Sequence, residues 1–169
     1  MTEAAPVFWV LRRAGTDDLA SIMALETSTF GTDAWSPANM LADVGNTHCY
    51  YLVAHREESP AVIEGYAGLL APRGGNDGDI QTIAVSLTAR RLGLGRSLMN
   101  ALIAEARTRR VREIFLEVRA DNPGAEALYD SLGFERIGVR PHYYQPDDVD
   151  AIIMKLSLKS PKDAADESN

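Results

Sequence analysis

The hydrophobic pattern changes period twice between Asp79 and Val118, and that change constrains the fold more than any other feature of the chain. Asp79 to Val85 reads as a strand. Leu94, Leu98, Leu102 and Ile103 then recur at helical spacing through SLMNALIAEARTRR, which predicts a helix ending near Arg109. REIFLEV alternates again, with Ile114, Leu116 and Val118 on one face and Phe115 and Glu117 on the other. Upstream, Val7 to Leu11 reads as a first strand and Thr16 as the N-cap of a helix running to about Thr27. Ser36-Pro37 opens a second helix, with Met40, Leu41 and Val44 on one side. Strands Cys49 to Ala54 and Ile63 to Leu70 follow, separated by a polar connection. Downstream, Asn122-Pro123 starts the short helix NPGAEALYDSLG, with Gly133 at its left-handed C-cap, before strands Phe134 to Val139 and Asp150 to Leu158. This order predicts one α/β domain over residues 7–158: a mixed, mostly antiparallel sheet of about seven strands with helices on both faces. The tail, 159–169, is acidic, lacks an apolar anchor and is expected to be disordered.

The chain is acidic, with a net charge of −7, which argues against nucleic acid or an anionic membrane as partner. The charge is unevenly spread, however. Eight of the fourteen arginines and only three glutamates lie from Arg90 to Arg119, a local balance of +5 that favours an anionic ligand. A single cysteine, Cys49, in an apolar run, allows no internal disulfide and reads as a buried residue. No stretch approaches the roughly 20 apolar residues of a membrane span, and the N-terminus lacks a secretory pattern, so a cytoplasmic location is expected. His48, His55 and His142 show neither metal-ligand spacing nor a recognisable paired acid, so no metal is expected.

The segment Arg90-Arg91-Leu92-Gly93-Leu94-Gly95-Arg96 sits where a strand gives way to a helix, a place where backbone N–H groups and the helix dipole converge on an anion. A pyrophosphate suits it, and a tight turn with solvated arginines is the plainer reading. A dinucleotide fingerprint fails because Leu98 stands where its third glycine belongs, and no Walker Gly-Lys-Ser/Thr is present.

The stretch QTIAVSLTARRLGLGRSLMNALI, with IFLEVRADNPGAEALYDSLGFERIGVRPHYY and the closing DAIIMKL, resembles the GNAT superfamily of acetyl-CoA-dependent N-acetyltransferases. Within it, the chain is most similar to the bacterial ribosomal-protein-alanine N-acetyltransferases. Arg90, Gly93 and Gly95 meet the superfamily's Arg/Gln-x-x-Gly-x-Gly/Ala signature. The resemblance implies the GNAT fold, acetyl-CoA as cosubstrate and the N-terminal peptide of a ribosomal protein as acceptor. Ile83, Ala84 and Val85 would then offer strand backbone to the acetyl group and pantetheine arm, and residues 91–96 would cradle the pyrophosphate. Asn122 would touch the cofactor as well as cap its helix. Glu117, of the LEVRA motif, would be the proton acceptor; otherwise it is a solvated strand residue. Burial or a water relay is expected to fit it for that task. Tyr129, in ALYDSLGF, would donate a proton to the departing sulfur while its ring packs on the sheet.

Trp35, Tyr143 and Tyr144 match positions where that family builds its peptide groove, though helix entry and hairpin packing also account for them. Asp147, Asp148 and Asp150 form either an acidic rim for a basic peptide or a polar turn. Two alternatives stay open: an acetyltransferase of small amines, and a non-catalytic acetyl-CoA-binding module.

Overall fold

Residues 6–158 are described by the computed structural model, so the tail expected to be disordered lies outside the described residues. The elements are β1 (Trp9–Arg13), α1 (Leu19–Phe30), α2 (Pro37–Val44), β2 (Cys49–Arg56), β3 (Gly65–Leu70), β4 (Asp77–Val85), α3 (Leu94–Thr108), β5 (Glu113–Arg119), α4 (Pro123–Ser131), β6 (Glu135–Tyr144) and β7 (Val149–Ser157). The seven strands form the expected mixed sheet, in the order β1-β2-β3-β4-β5-β7-β6. β4 and β5 run parallel, whereas β1–β2, β5–β7 and β6–β7 are antiparallel.

Helix ends follow local chemistry. The Ser36 hydroxyl accepts the Asn39 N–H at 3.1 Å, and Asn122 Oδ1 accepts the Ala125 N–H at 3.2 Å, so both expected caps are made. Gly133 stops α4 with φ +100°. Thr16 does not cap α1. A short 3₁₀ turn, Thr16–Asp18, precedes that helix; Gly15 is its N-cap, and the Asp18 carboxylate reaches back to accept the Gly15 N–H at 2.8 Å. Asp18 also holds Arg12 through two hydrogen bonds, and that guanidinium keeps the carboxyl below its ordinary range. β1 is displaced from the expected Val7–Leu11 because pairing to β2, Trp9↔Arg56 through Arg13↔Leu52, recruits two arginines that hydropathy alone leaves out. β6 likewise runs on past Val139 to Tyr144, following β7 to the Tyr144↔Val149 pair.

Contacts group the chain into two units. One comprises the residues up to Gly68 together with Thr82–Leu102; the other comprises Leu69–Gln81 and the residues from Ile103 onward. In the first, Ile22, Met40, Tyr51, Tyr66, Leu94, Leu98 and Met99 are fully buried. A Cβ on Gly65 would lie 2.9 Å from Leu94 Cδ2, so glycine there lets the start of α3 settle directly on β3. In the second unit, Ile114, Leu116 and Val118 are buried along one face of β5, as the alternation predicts. The opposite face carries Phe115 and Glu117. Among the described residues, no helix is long and apolar enough to cross a membrane.

Candidate active site

The first unit holds the glycine loop. β4 ends at Val85, a short 3₁₀ turn covers Leu87–Ala89, and α3 begins at Leu94. Arg91 and Gly93 are both left-handed, with φ of 63° and 79°, so the backbone turns sharply on each side of Leu92. The Ser97 N–H bonds the Gly93 carbonyl at 3.0 Å, and helical geometry directs the amides ahead of Ser97 out of the N-terminal end of α3. Nothing lies within 4 Å of where a Cβ on Gly93 would stand. Open space, outward amides and arginines at 90, 91 and 96 suit a pyrophosphate. Leu94 and Ala84 are buried, at 1% and 3% exposure, so their side chains belong to the core. Arg90 turns back, donating from Nε to the Val85 carbonyl at 3.4 Å, which ties the loop to the end of its strand.

Trp35 belongs to the same unit and precedes α2. Its backbone N–H donates to Glu26, a fully buried carboxylate on α1. Glu26 also accepts from the Tyr66 hydroxyl at 2.8 Å and from Thr82 Oγ1 at 3.1 Å. Burial pushes the Glu26 carboxyl above its ordinary range, against these three donors. Glu26 had no sequence signal beyond its place four residues after Ile22, on the apolar stripe of α1.

In the second unit, Glu117 and Tyr143 come together. Glu117 sits on β5 opposite Ile153 of β7. Its side chain is 31% exposed, so solvent reaches it more freely than the expected burial would allow. Arg140 Nε lies 3.2 Å from Glu117 Oε1, and the Tyr143 hydroxyl hydrogen-bonds the same carboxylate. The Glu117 charge, more than burial or that bond, raises the Tyr143 pKa, and Arg140 partly offsets it. The Tyr143 ring meets Tyr144 edge-on at 5.0 Å between centroids, and Arg119 lies over Tyr144 at 5.1 Å. Arg140 had no sequence signal, because its role comes from the extension of β6 beside β7. Asp79, on β4 beside Phe115, is pushed up by burial and then by the charges of Asp77 and Glu117.

Tyr129 is 7% exposed and packs edge-on against Phe134 at 6.1 Å. Burial, with a smaller contribution from Tyr144, pushes its pKa up to about 12, so it stays a donor through the neutral range. The acid turn is largely occupied. Asp147 lies 3.2 Å from Arg119 Nη2, Asp148 Oδ1 lies 2.6 Å from His142 Nδ1, and Asp150 accepts the His142 N–H at 2.9 Å. His142 thus has the paired acid that its sequence spacing did not reveal. Among the described residues no cluster of three or more His, Cys, Asp or Glu could hold a metal, and Cys49 is 2% exposed.

The chain is an α/β protein built on a mixed seven-stranded sheet, with a glycine loop suited to a phosphate in one unit and a strand carboxylate in the other. Residues 17–134 match the acetyltransferase (GNAT) family, and the chain belongs to it. It is 36% identical over 140 residues to the N-alpha-acetyltransferase RimI of Mycobacterium tuberculosis, covering 81% of this chain and 85% of that protein. It is 49% identical over 78 residues to the Escherichia coli ribosomal protein bS18-alanine N-acetyltransferase, a match spanning 45% of this chain and 53% of that enzyme. The crystal structure of the E. coli ribosomal-protein-S18-alanine N-acetyltransferase gives a TM-score of 0.79 at 29% identity, covering 91% of this chain and 97% of that one.

Proposed function

We propose that this acetyltransferase is an N-alpha-acetyltransferase, acting in the cytoplasm, that acetylates the N-terminal alanine of an S18-like ribosomal protein by direct attack in a ternary complex. The observation that carries the reading is Glu117, a solvent-reachable carboxylate engaged by Tyr143 in the unit that also holds the buried donor Tyr129. The similarity to enzymes named for that reaction supports it.

Acetyl-CoA, when bound, supplies the acetyl group and a thiolate leaving group. Residues 91–96 hold its pyrophosphate, the backbone of Ile83–Val85 aligns its arm, and Asn122 touches it from the start of α4. An N-terminal amine with a pKa near 8 is mostly ammonium at neutral pH, so it must lose a proton before it attacks. Glu117 accepts that proton, directly or through water. As the nitrogen–carbon bond forms and the carbon–sulfur bond breaks, backbone near Val85 stabilises the oxyanion and Tyr129 gives a proton to the sulfur. Trp35, Tyr143 and Tyr144 seat the first residues of the peptide.

Intact-mass measurement of synthetic peptides beginning with Ala tests the acceptor. One acetyl group on the α-amine is expected; acetylation confined to lysine side chains, or to small amines such as polyamines, overturns the reading. Arg91→Ala and Arg96→Ala are each expected to weaken acetyl-CoA binding about fivefold at low salt and less at high salt. Calorimetry at two ionic strengths checks this.

A further inference from the structure

The glycine loop is tied at both its start and its apex to residues that the cofactor motif does not include. At the apex, the Trp9 indole Nε1–H donates to the Leu92 carbonyl at 3.3 Å. At the start, Glu64 receives Thr88 Oγ1 at 3.1 Å and Ser86 Oγ at 3.5 Å, while its own carbonyl accepts the Ser86 N–H at 2.8 Å. Arg56 joins the two ends. Its Nε lies 2.8 Å from Glu64 Oε2, and its guanidinium carbon stands 5.3 Å from the centre of the Trp9 ring. Glu64 is 8% exposed, so its charge is held by these partners rather than by water.

The Leu92–Gly93 peptide explains what this arrangement does. In a planar trans peptide, the carbonyl oxygen and the following N–H point in opposite directions. Fixing the Leu92 carbonyl on the Trp9 indole therefore fixes the Gly93 N–H on the side away from β1. Gly93, at φ 79°, has the conformational freedom to let that peptide rotate unless something holds it. A phenyl ring would keep an aromatic face beside Arg56, a smaller one than the indole, but no donor. Only tryptophan adds the N–H that the loop uses.

We propose that Trp9, Arg56 and Glu64 form a brace that preorganises Ser86–Gly93 for a pyrophosphate, with Trp9 as the positioning residue that aims the Gly93 amide. The proposal rests on the acetyl-CoA reading above. Trp9→Phe removes the N–H and leaves a smaller aromatic ring in its place. It should weaken the binding of CoA, measured by calorimetry, by about three- to tenfold. The KM for acetyl-CoA should rise by the same factor, with the peptide KM and kcat within about twofold of wild type. Amide hydrogen exchange over 90–95 in unliganded protein should quicken, which a merely structural loss elsewhere would not produce selectively. Glu64→Gln should reproduce the weaker CoA binding, and the double variant should fall short of the product of the two single effects. Unchanged CoA affinity together with unchanged loop exchange in Trp9→Phe overturns the brace. Wild-type protein that binds no CoA overturns the cofactor reading instead, and the loop exchange then decides the brace alone.

Discussion

Glu117→Gln lowers kcat by about 10²- to 10⁴-fold at neutral pH, the range that a positioned proton acceptor contributes. The amide keeps the side chain's shape and its place opposite Ile153 but cannot take a proton from an ammonium. Its charged partners lie near the surface, with Arg140 56% exposed, so the fold loses less than about 1 kcal/mol. CoA affinity stays at the wild-type value, because Glu117 belongs to the acceptor side of the reaction. Tyr129→Phe is the companion. It keeps the ring against Phe134, removes the hydroxyl, and lowers turnover while sparing acceptor binding. Steady-state rates with an Ala-initiated peptide, beside calorimetry with CoA, separate these outcomes. If neither variant lowers turnover by more than a few-fold while CoA still binds, a non-catalytic acetyl-CoA-binding module becomes the better description.

The sequence made the local structure readable wherever one residue type answers one physical need. Ser36, Asn122 and Gly133 mark helix ends because a side-chain oxygen or a left-handed backbone is required there, and each is found in that role. The alternation in REIFLEV placed Glu117 on the face away from the core for the same reason. What the sequence withheld depends on partners far along the chain. Arg140 reaches Glu117 only because β6 follows β7 beyond its apolar stretch, and Trp9 meets Leu92 across 83 positions. The +5 segment from Arg90 to Arg119 was legible as charge, but its uses differ. Arg90 ties its own strand end, Arg109 pairs with Glu105 and Arg119 with Asp121, while Arg91 lies on the glycine loop. Net charge therefore pointed to an anion without showing which arginines serve it.

Glu26→Ala destabilises the fold by about 2–5 kcal/mol at pH 7, whereas Glu26→Gln stays within about 1.5 kcal/mol of wild type. Alanine leaves the Tyr66 hydroxyl, the Thr82 hydroxyl and the Trp35 N–H without their shared acceptor in a fully buried position. Glutamine retains one oxygen for the Trp35 N–H. Because the Tyr66 and Thr82 hydroxyls meet different carboxylate oxygens, one goes on donating to the amide oxygen while the other rotates to accept from the amide nitrogen, and the two remain 3.2 Å from each other. The pH dependence has a definite sign. Burial raises the Glu26 pKa above its ordinary 4.5, so near pH 4.5 and above the folded state keeps a proton that the unfolded state loses. Rising pH through that window therefore costs wild type stability, and the full cost of the buried charge is present once pH passes the folded pKa. Glutamine never ionises and carries no such cost. Urea unfolding at pH 4.5 and 7.5 should show wild type losing stability relative to Glu26→Gln as pH rises, with the Asp18 contribution common to both. A gap that stays constant would mean that burial does not raise the Glu26 carboxyl, and an alanine variant within about 1 kcal/mol of wild type would mean that Tyr66, Thr82 and Trp35 do not depend on it as their shared acceptor.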